Sequence, residues 1–276
     1  MDWAQARNFL ILVFLAVDLF LGYEVWQTGS MAASGQPPTA AGEVRAELAE
    51  LGIEVRSALP AAPALPDLRL GPSAGARTVR SLLGRSGVQR QSQGATTRFY
   101  RGTREVSLGP GGILRYEDRA VDTGGRRLST AAAWREAEAF LRQRGLFPAG
   151  ARRQRLLSLA GTAGYEVVFG TDYRGYPIYG AQVTAEVFPA GVRTLRIWWP
   201  RVDGAAASRP VLPAARALLD LAAVLPGQQA PTVITQVRLG FYAGMNGGST
   251  AQPSWQVRTA DGSVYYLDAR TGRLEP

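Results

Sequence analysis

The sequence predicts an α+β protein: an N-terminal transmembrane helix, then two tandem ββ-α-ββ units, each an antiparallel sheet covered by a helix. Three observations lead there. An apolar run, NFLILVFLAVDLFLGY, fills residues 8–23 with Asp18 as its only charged residue. Further along, strand-like alternation and Gly/Pro turns flank two amphipathic helices. The turn at Pro110–Gly112 and the helix opening near Thr130 recur in the same order as Pro189–Gly191 and a helix from Pro213. The repeat is one of pattern, not of identical residues.

Residues 1–7 form a short N-terminus. Extended to Trp26, the apolar run gives a helix over 8–26, long enough to cross a bilayer. Trp3 and Trp26 flank it at interfacial depth, with Tyr23 just inside. Arg7 precedes the run; after Glu24 no charge follows until Glu43. The positive side is therefore N-terminal, which predicts a single-pass protein of the cell membrane with a cytoplasmic N-terminus and an extracellular C-terminal domain. The alternative is a cleaved signal peptide with its hydrophobic region at Phe9–Leu21 and a cut near Ala32 or Ala33. Asp2, the bulky Tyr23 and Trp26, and the lack of a small-x-small triplet beside the run argue against it.

A carboxylate well inside hydrocarbon costs about 3 kcal/mol on insertion scales, so Asp18 needs a reason. Helical spacing puts Leu15, Asp18, Leu19 and Gly22 on one face, and small and polar residues are what membrane helices use for contact. That face is the expected contact with a partner helix. A protonated Asp18, or one reaching the outer interface, is the alternative.

Residues 27–42, uncharged and rich in Gly, Ser, Pro and Ala, read as a flexible linker. A helix-containing lead-in follows over 43–95. In it Val44, Leu48 and Leu51 share a helical face, Ile53–Arg56 suits a short strand, residues 60–72 are irregular, and Thr78–Leu83 is a short helix. The first unit spans 96–172. It has strands at Thr97–Tyr100, Glu105–Leu108 and Ile113–Glu117, then a helix Ala131–Arg144 capped by Thr130, with Trp134, Ala137, Phe140 and Leu141 on its apolar face. Strands Arg155–Ala160 and Tyr165–Phe169 close it. The second unit spans 173–276, with strands Ile178–Phe188 and Val192–Trp199, a helix Pro213–Val224, a strand Val233–Tyr242, and a hairpin of Trp255–Thr259 and Val264–Asp268. Asp261-Gly262 suits a type I′ turn in that hairpin.

Composition bounds the chemistry. With 276 residues, 46% hydrophobic and 19% charged, a core can be buried. There is no cysteine and no histidine, and all 31 basic residues are arginine against 22 acidic ones, a net charge of +9. Thiol nucleophiles, zinc–thiolate sites, Schiff bases, Ser–His and Ser–Lys pairs and the P-loop are thereby excluded. Glu166, Asp172, Glu186 and Asp203 are candidate paired carboxylates, but nothing in their spacing selects a pair. No catalytic, cofactor-binding or metal-binding residue is expected, and no small-molecule substrate. The arginines form no stripe or motif for nucleic acid. Their charge suits an anionic lipid bilayer or wall polymer, or, more commonly, a solvated positive surface with no specific partner. At Trp198-Trp199 one indole must point outward from a strand, where it either marks a candidate partner surface or, as is more common, packs under a neighbouring loop.

Several segments together resemble the YycI family. The start Met1-Asp2-Trp3 and the run ending Leu19-Phe20-Leu21-Gly22-Tyr23 are similar to that family's N-terminus. Gly175-Tyr176-Pro177-Ile178, Leu239-Gly240-Phe241-Tyr242, Pro253-Ser254-Trp255-Gln256-Val257 and Tyr265–Gly272 are similar to its C-terminal strands. Residues 60–127 do not match. Asp18 also departs from the family pattern, which has Asn there, although a protonated Asp donates a similar hydrogen bond. The resemblance implies a non-enzymatic membrane protein that binds and restrains a sensor histidine kinase of the YycG/WalK type, together with a YycH-like accessory protein, in two-component control of cell-wall metabolism. The closing hairpin also looks like a PepSY-type ending. That gives the alternative of an exported binding or inhibitor module for which the N-terminal helix is only a tether or signal peptide.

Overall fold

In the computed structural model, residues 38–225, 232–244 and 247–275 are described. The apolar segment 8–26, with Leu15, Asp18, Leu19 and Gly22, lies outside them. Among the described residues no helix is long and apolar enough to cross a membrane.

The chain begins with α1 (Pro38–Glu50), β1 (Ile53–Val55), β2 (Leu68–Leu70) and α2 (Ala76–Leu83). Four strands follow: β3 (Gln89–Gln93), β4 (Thr96–Arg101), β5 (Arg104–Leu108) and, after a 3-10 turn at Pro110–Gly112, β6 (Leu114–Asp118). Helix α3 (Thr130–Gln143) leads to β7 (Arg152–Ser158), β8 (Tyr165–Tyr173), β9 (Tyr176–Phe188), β10 (Gly191–Trp198) and β11 (Val202–Ala205). The chain closes with α4 (Ala214–Val224), β12 (Thr232–Tyr242), β13 (Thr250–Thr259) and β14 (Val264–Asp268).

The class is α+β, and the 14 strands join in one continuous sheet. Its N-terminal stretch, β3-β4-β5-β6-β10-β9-β8-β7, is antiparallel throughout. In the C-terminal stretch β14, β13 and β12 are antiparallel, and β2 and β11 extend it from β13. Strand β12 has parallel neighbours, however: β1 along its start and β9 along its end. Long β9 therefore belongs to both stretches.

The strands expected to open a second unit, β9 and β10, instead complete the first sheet by pairing with β8 and β6. The cause is local. Arg174-Gly175 makes a two-residue turn with φ of 50° and 87°, and Tyr173 pairs with Tyr176 across it. Positive φ at both central positions is the type I′ arrangement, so β9 folds straight back along β8. At Asp261-Gly262, where that turn was expected, only Gly262 has positive φ, and the wider loop is closed by Thr259 N–H to the Ser263 carbonyl at 3.1 Å.

Each stretch buries one face against helices. Ala133, Ala137, Phe140 and Leu141 of α3 meet Val167, Phe169, Val183, Ala185 and Leu195, with Trp134 edge-on to Phe169 at 5.2 Å. Leu48 of α1 and Leu218 and Leu221 of α4 meet Phe241, Trp255, Val257 and Leu267. The faces read from spacing in α1 and α3 hold except at Leu51, which is 61% exposed just past the end of α1. Helix α3 is capped one residue earlier than expected: Ser129 Oγ accepts from Ala132 N–H at 3.2 Å. Residues 38–42, expected in the linker, are helical.

Candidate binding cleft

Strand β9 starts among the C-terminal strands and ends among the N-terminal ones. It changes course at Gly180, where φ is 87°. A Cβ there would lie 2.5 Å from the Gly244 carbonyl oxygen and 3.2 Å from the Trp198 ring, so glycine is required twice over. The bend lies in the wall of a cleft of about 500 Å³ lined mainly by polar side chains of β7, β9, β12, β13 and β14.

The cleft is built by register. The tripeptide Gln-Val-Arg occurs at 236–238 in β12 and again at 256–258 in β13. The strands are antiparallel with Val237 opposite Val257, so Gln236 faces Arg258 and Arg238 faces Gln256. The two valines turn into the core, and strand alternation turns the amides and guanidinia to the other side. The result is a local two-fold arrangement of identical groups. Tyr266 of β14 sits opposite Gln256, whose Nε2 donates to the tyrosine oxygen at 3.1 Å. Gln154 and Arg155 of β7 and Gln182 of β9 line the other wall.

Tyr179 is 3% exposed at the back of the cleft, and its hydroxyl donates to the Arg238 backbone carbonyl at 3.0 Å. Burial pushes that hydroxyl far above the ordinary phenol range, with Arg238 acting in the opposite sense, so it remains a neutral donor. Its ring centroid lies 5.1 Å from that of Tyr266, which in turn lies 5.0 Å from Tyr242. Gly240 makes room: a Cβ there would meet the Tyr179 ring and the Pro177 carbonyl at 2.6 Å.

Among the described residues no carboxylate lines this cleft. Arg155 is neutralised by Glu166 at 3.0 Å. The guanidinia of Arg238 and Arg258 have neither an ion-pair nor a hydrogen-bonding partner among the described residues. The lining groups are amides, guanidinia and phenols. They can donate to and orient a ligand, but none is a nucleophile or general base at neutral pH.

The residues singled out from sequence fall elsewhere. Trp198 is no partner-surface residue: it takes the packed alternative and is fully buried in the C-terminal core. Trp199 is partly buried against the other core, and its backbone N–H donates to Ser73 Oγ. The end of β10 lies where the two cores meet, so both indoles find apolar cover. Of the four carboxylates, register brings together only Glu166 and Glu186, opposite each other on β8 and β9. Glu166, Asp172 and Asp203 are each paired with an arginine: Arg155, Arg152 and Arg201. Among the described residues no group of three or more acidic side chains is placed to hold a metal ion. The cleft residues Gln236, Arg238, Gln256 and Arg258 were not anticipated. Their signal was present in the repeated tripeptide, whose meaning depends on a pairing register that one strand alone does not reveal.

The sequence matches no family model, and no curated protein matches it. Solved structures do resemble the fold. An uncharacterized protein from Eubacterium rectale is 10% identical, with 81% of this chain and 89% of that chain covered and a TM-score of 0.48. The C-terminal domain of Bacillus megaterium YpeB is 13% identical, covering 75% and 97%, with a TM-score of 0.42. YycH from Bacillus subtilis is 9% identical, covering 74% of this chain and 52% of that one, with a TM-score of 0.48.

Proposed function

We propose that this chain is a membrane-anchored extracytoplasmic binding protein that restrains a two-component sensor histidine kinase controlling cell-wall metabolism. One observation carries the reading. The segments that resemble the YycI family, scattered from Gly175 to Gly272, meet in a single region of the sheet. Ile178 and Tyr179 pair with Phe241 and Tyr242, Trp255 pairs with Leu239, and Leu267 pairs with Trp255. Tyr176 stands edge-on to Phe241 at 6.3 Å. The similarity thus follows one assembled unit rather than unrelated fragments. A cleft rich in donors and lacking a base suits binding better than turnover.

In this reading residues 8–26 span the cell membrane, and the face Leu15, Asp18, Leu19 and Gly22 contacts a kinase helix. A single helix shifts the kinase between states by the difference in its affinity for them. The test is kinase output in cells carrying Asp18→Leu, or residues 8–26 replaced by an unrelated apolar helix. Output should rise while the folded domain keeps its circular dichroism. If a soluble chain from Gly42 onward restrains the kinase as well as the anchored one, the helix is a tether only and the membrane contact is wrong.

A further inference from the structure

We infer that the cleft between β9 and β12–β14 receives an extended acidic peptide segment, with two carboxylates at alternate positions seated on Arg238 and Arg258. The inference rests on reading the chain as a binding protein but not on the identity of its kinase partner.

Charge is the first argument. Among the described residues twelve ion pairs join carboxylates to arginines elsewhere in the fold, from Arg56–Glu54 to Arg270–Asp67, and Arg155 of the cleft wall is paired with Glu166. In the cleft, the guanidinia of Arg238 and Arg258 have no counter-charge among the described lining residues. Unpaired arginines whose neighbours are neutral amides present open bidentate sites for carboxylates.

Spacing is the second. Arg238 and Arg258 are diagonal neighbours across an antiparallel pair, because Gln256 faces Arg238 and Arg258 lies two residues beyond Gln256. Diagonal neighbours stand about 7–8 Å apart. In an extended chain, side chains i and i+2 point the same way about 6.8 Å apart. An acidic-x-acidic strand therefore matches the two guanidinia, whereas a single phosphate has only one charge centre to offer them. The repeated Gln-Val-Arg makes the match two-fold, each carboxylate meeting one arginine with a glutamine opposite it.

The lining is the third. The side-chain amides of Gln154, Gln182 and Gln236 have no hydrogen-bond partner among the described residues. Primary amides both donate and accept, as peptide groups do. The tyrosine rings pack on one another, Tyr266 lying between Tyr179 and Tyr242.

The test is calorimetric titration of the full chain, in detergent at low salt, with the blocked peptide Ac-AEAEA-NH2. Its Ac-AQAQA-NH2 counterpart, inorganic phosphate, citrate and tetragalacturonate are the comparison probes. The acidic peptide should bind, the glutamine version at least about tenfold more weakly, and Arg238→Gln and Arg258→Gln should each weaken binding about tenfold. Both substitutions fall on side chains open to the cleft, and circular dichroism checks that they fold. Arg56→Gln, an exposed arginine outside the cleft and paired with Glu54, should change affinity far less. The inference is overturned if the two peptides bind alike, if the Arg238 and Arg258 variants bind like the parent, or if phosphate, citrate or tetragalacturonate binds as tightly as the peptide. A chain that associates with the kinase yet ignores the peptide overturns the cleft alone. A chain that binds the peptide but no kinase overturns the kinase reading and leaves the cleft standing.

Discussion

The Tyr179 hydroxyl donates to the backbone carbonyl of Arg238 at 3.0 Å, across the seam where β9 passes from one stretch of the sheet to the other. In this way a buried phenol fixes the strand that carries one of the two open guanidinia. Tyr179→Phe keeps the ring against Tyr266 and removes only this bond. It should cost about 1 kcal/mol in urea unfolding. It should also loosen the cleft wall, read as faster hydrogen exchange in β12. An unchanged exchange rate would mean that strand pairing alone holds Arg238.

Trp198 tests the difference between surface and core. It is fully buried, and its Nε1 has no hydrogen-bond partner. Trp198→Ala should destabilise the protein by about 3–5 kcal/mol. Trp198→Phe should cost clearly less, because no hydrogen bond is lost with the indole. Thermal melts of the two variants check this. A partner-surface residue would show little change in stability for either.

Asp118 should give the fold an acid limit. Burial alone would raise its pKa, but hydrogen bonds from Thr103 Oγ1 (2.8 Å), Arg104 Nε (2.9 Å) and the Ala120 N–H (3.1 Å) outweigh it and hold the carboxyl below its ordinary value. A depressed folded-state pKa stabilises the fold above the unfolded value and ceases to do so as pH falls through the folded one. The loss should therefore fall below about pH 4. In urea titrations Asp118→Asn should be less stable than the parent at pH 7, and the gap should close toward pH 2–3.

The β8–β9 turn offers a gain. Arg174 is the only non-glycine residue with positive φ among the described residues, at 50°. Asn tolerates that region better than Arg does. Arg174→Asn should raise stability by about 0.5–1 kcal/mol, read as a higher urea midpoint with an unchanged slope. No gain would mean that the Arg174 guanidinium, 5.4 Å from the centre of the Tyr173 ring, offsets the strain.

Much of the fold was legible wherever one segment carries its own signal. The period of α3, the alternation of Val183, Ala185 and Val187, and the closing hairpin all survive in the structure. Strand β3 was invisible because QRQSQ is exposed along its whole length and held only by pairing with β4. β2 and β11 are too short to show a period. The unit boundary was misplaced because a repeated pattern does not say which edges join, and the Arg-Gly turn that decides it departs from the Asn-Gly or Asp-Gly signal. The cleft was hidden for the same reason: Arg238, Gln256 and Gln182 are brought together by register and by a bend at Gly180, not by sequence spacing.

Restraint of a sensor kinase is tested most directly by isolating the kinase from membranes that contain the tagged full-length chain and measuring its autophosphorylation with the chain present and removed. The chain should co-purify with the kinase and lower its autophosphorylation, and replacing residues 8–26 should relieve that restraint. A kinase that purifies without the chain, and whose phosphorylation is the same whether or not the chain is present, would contradict it.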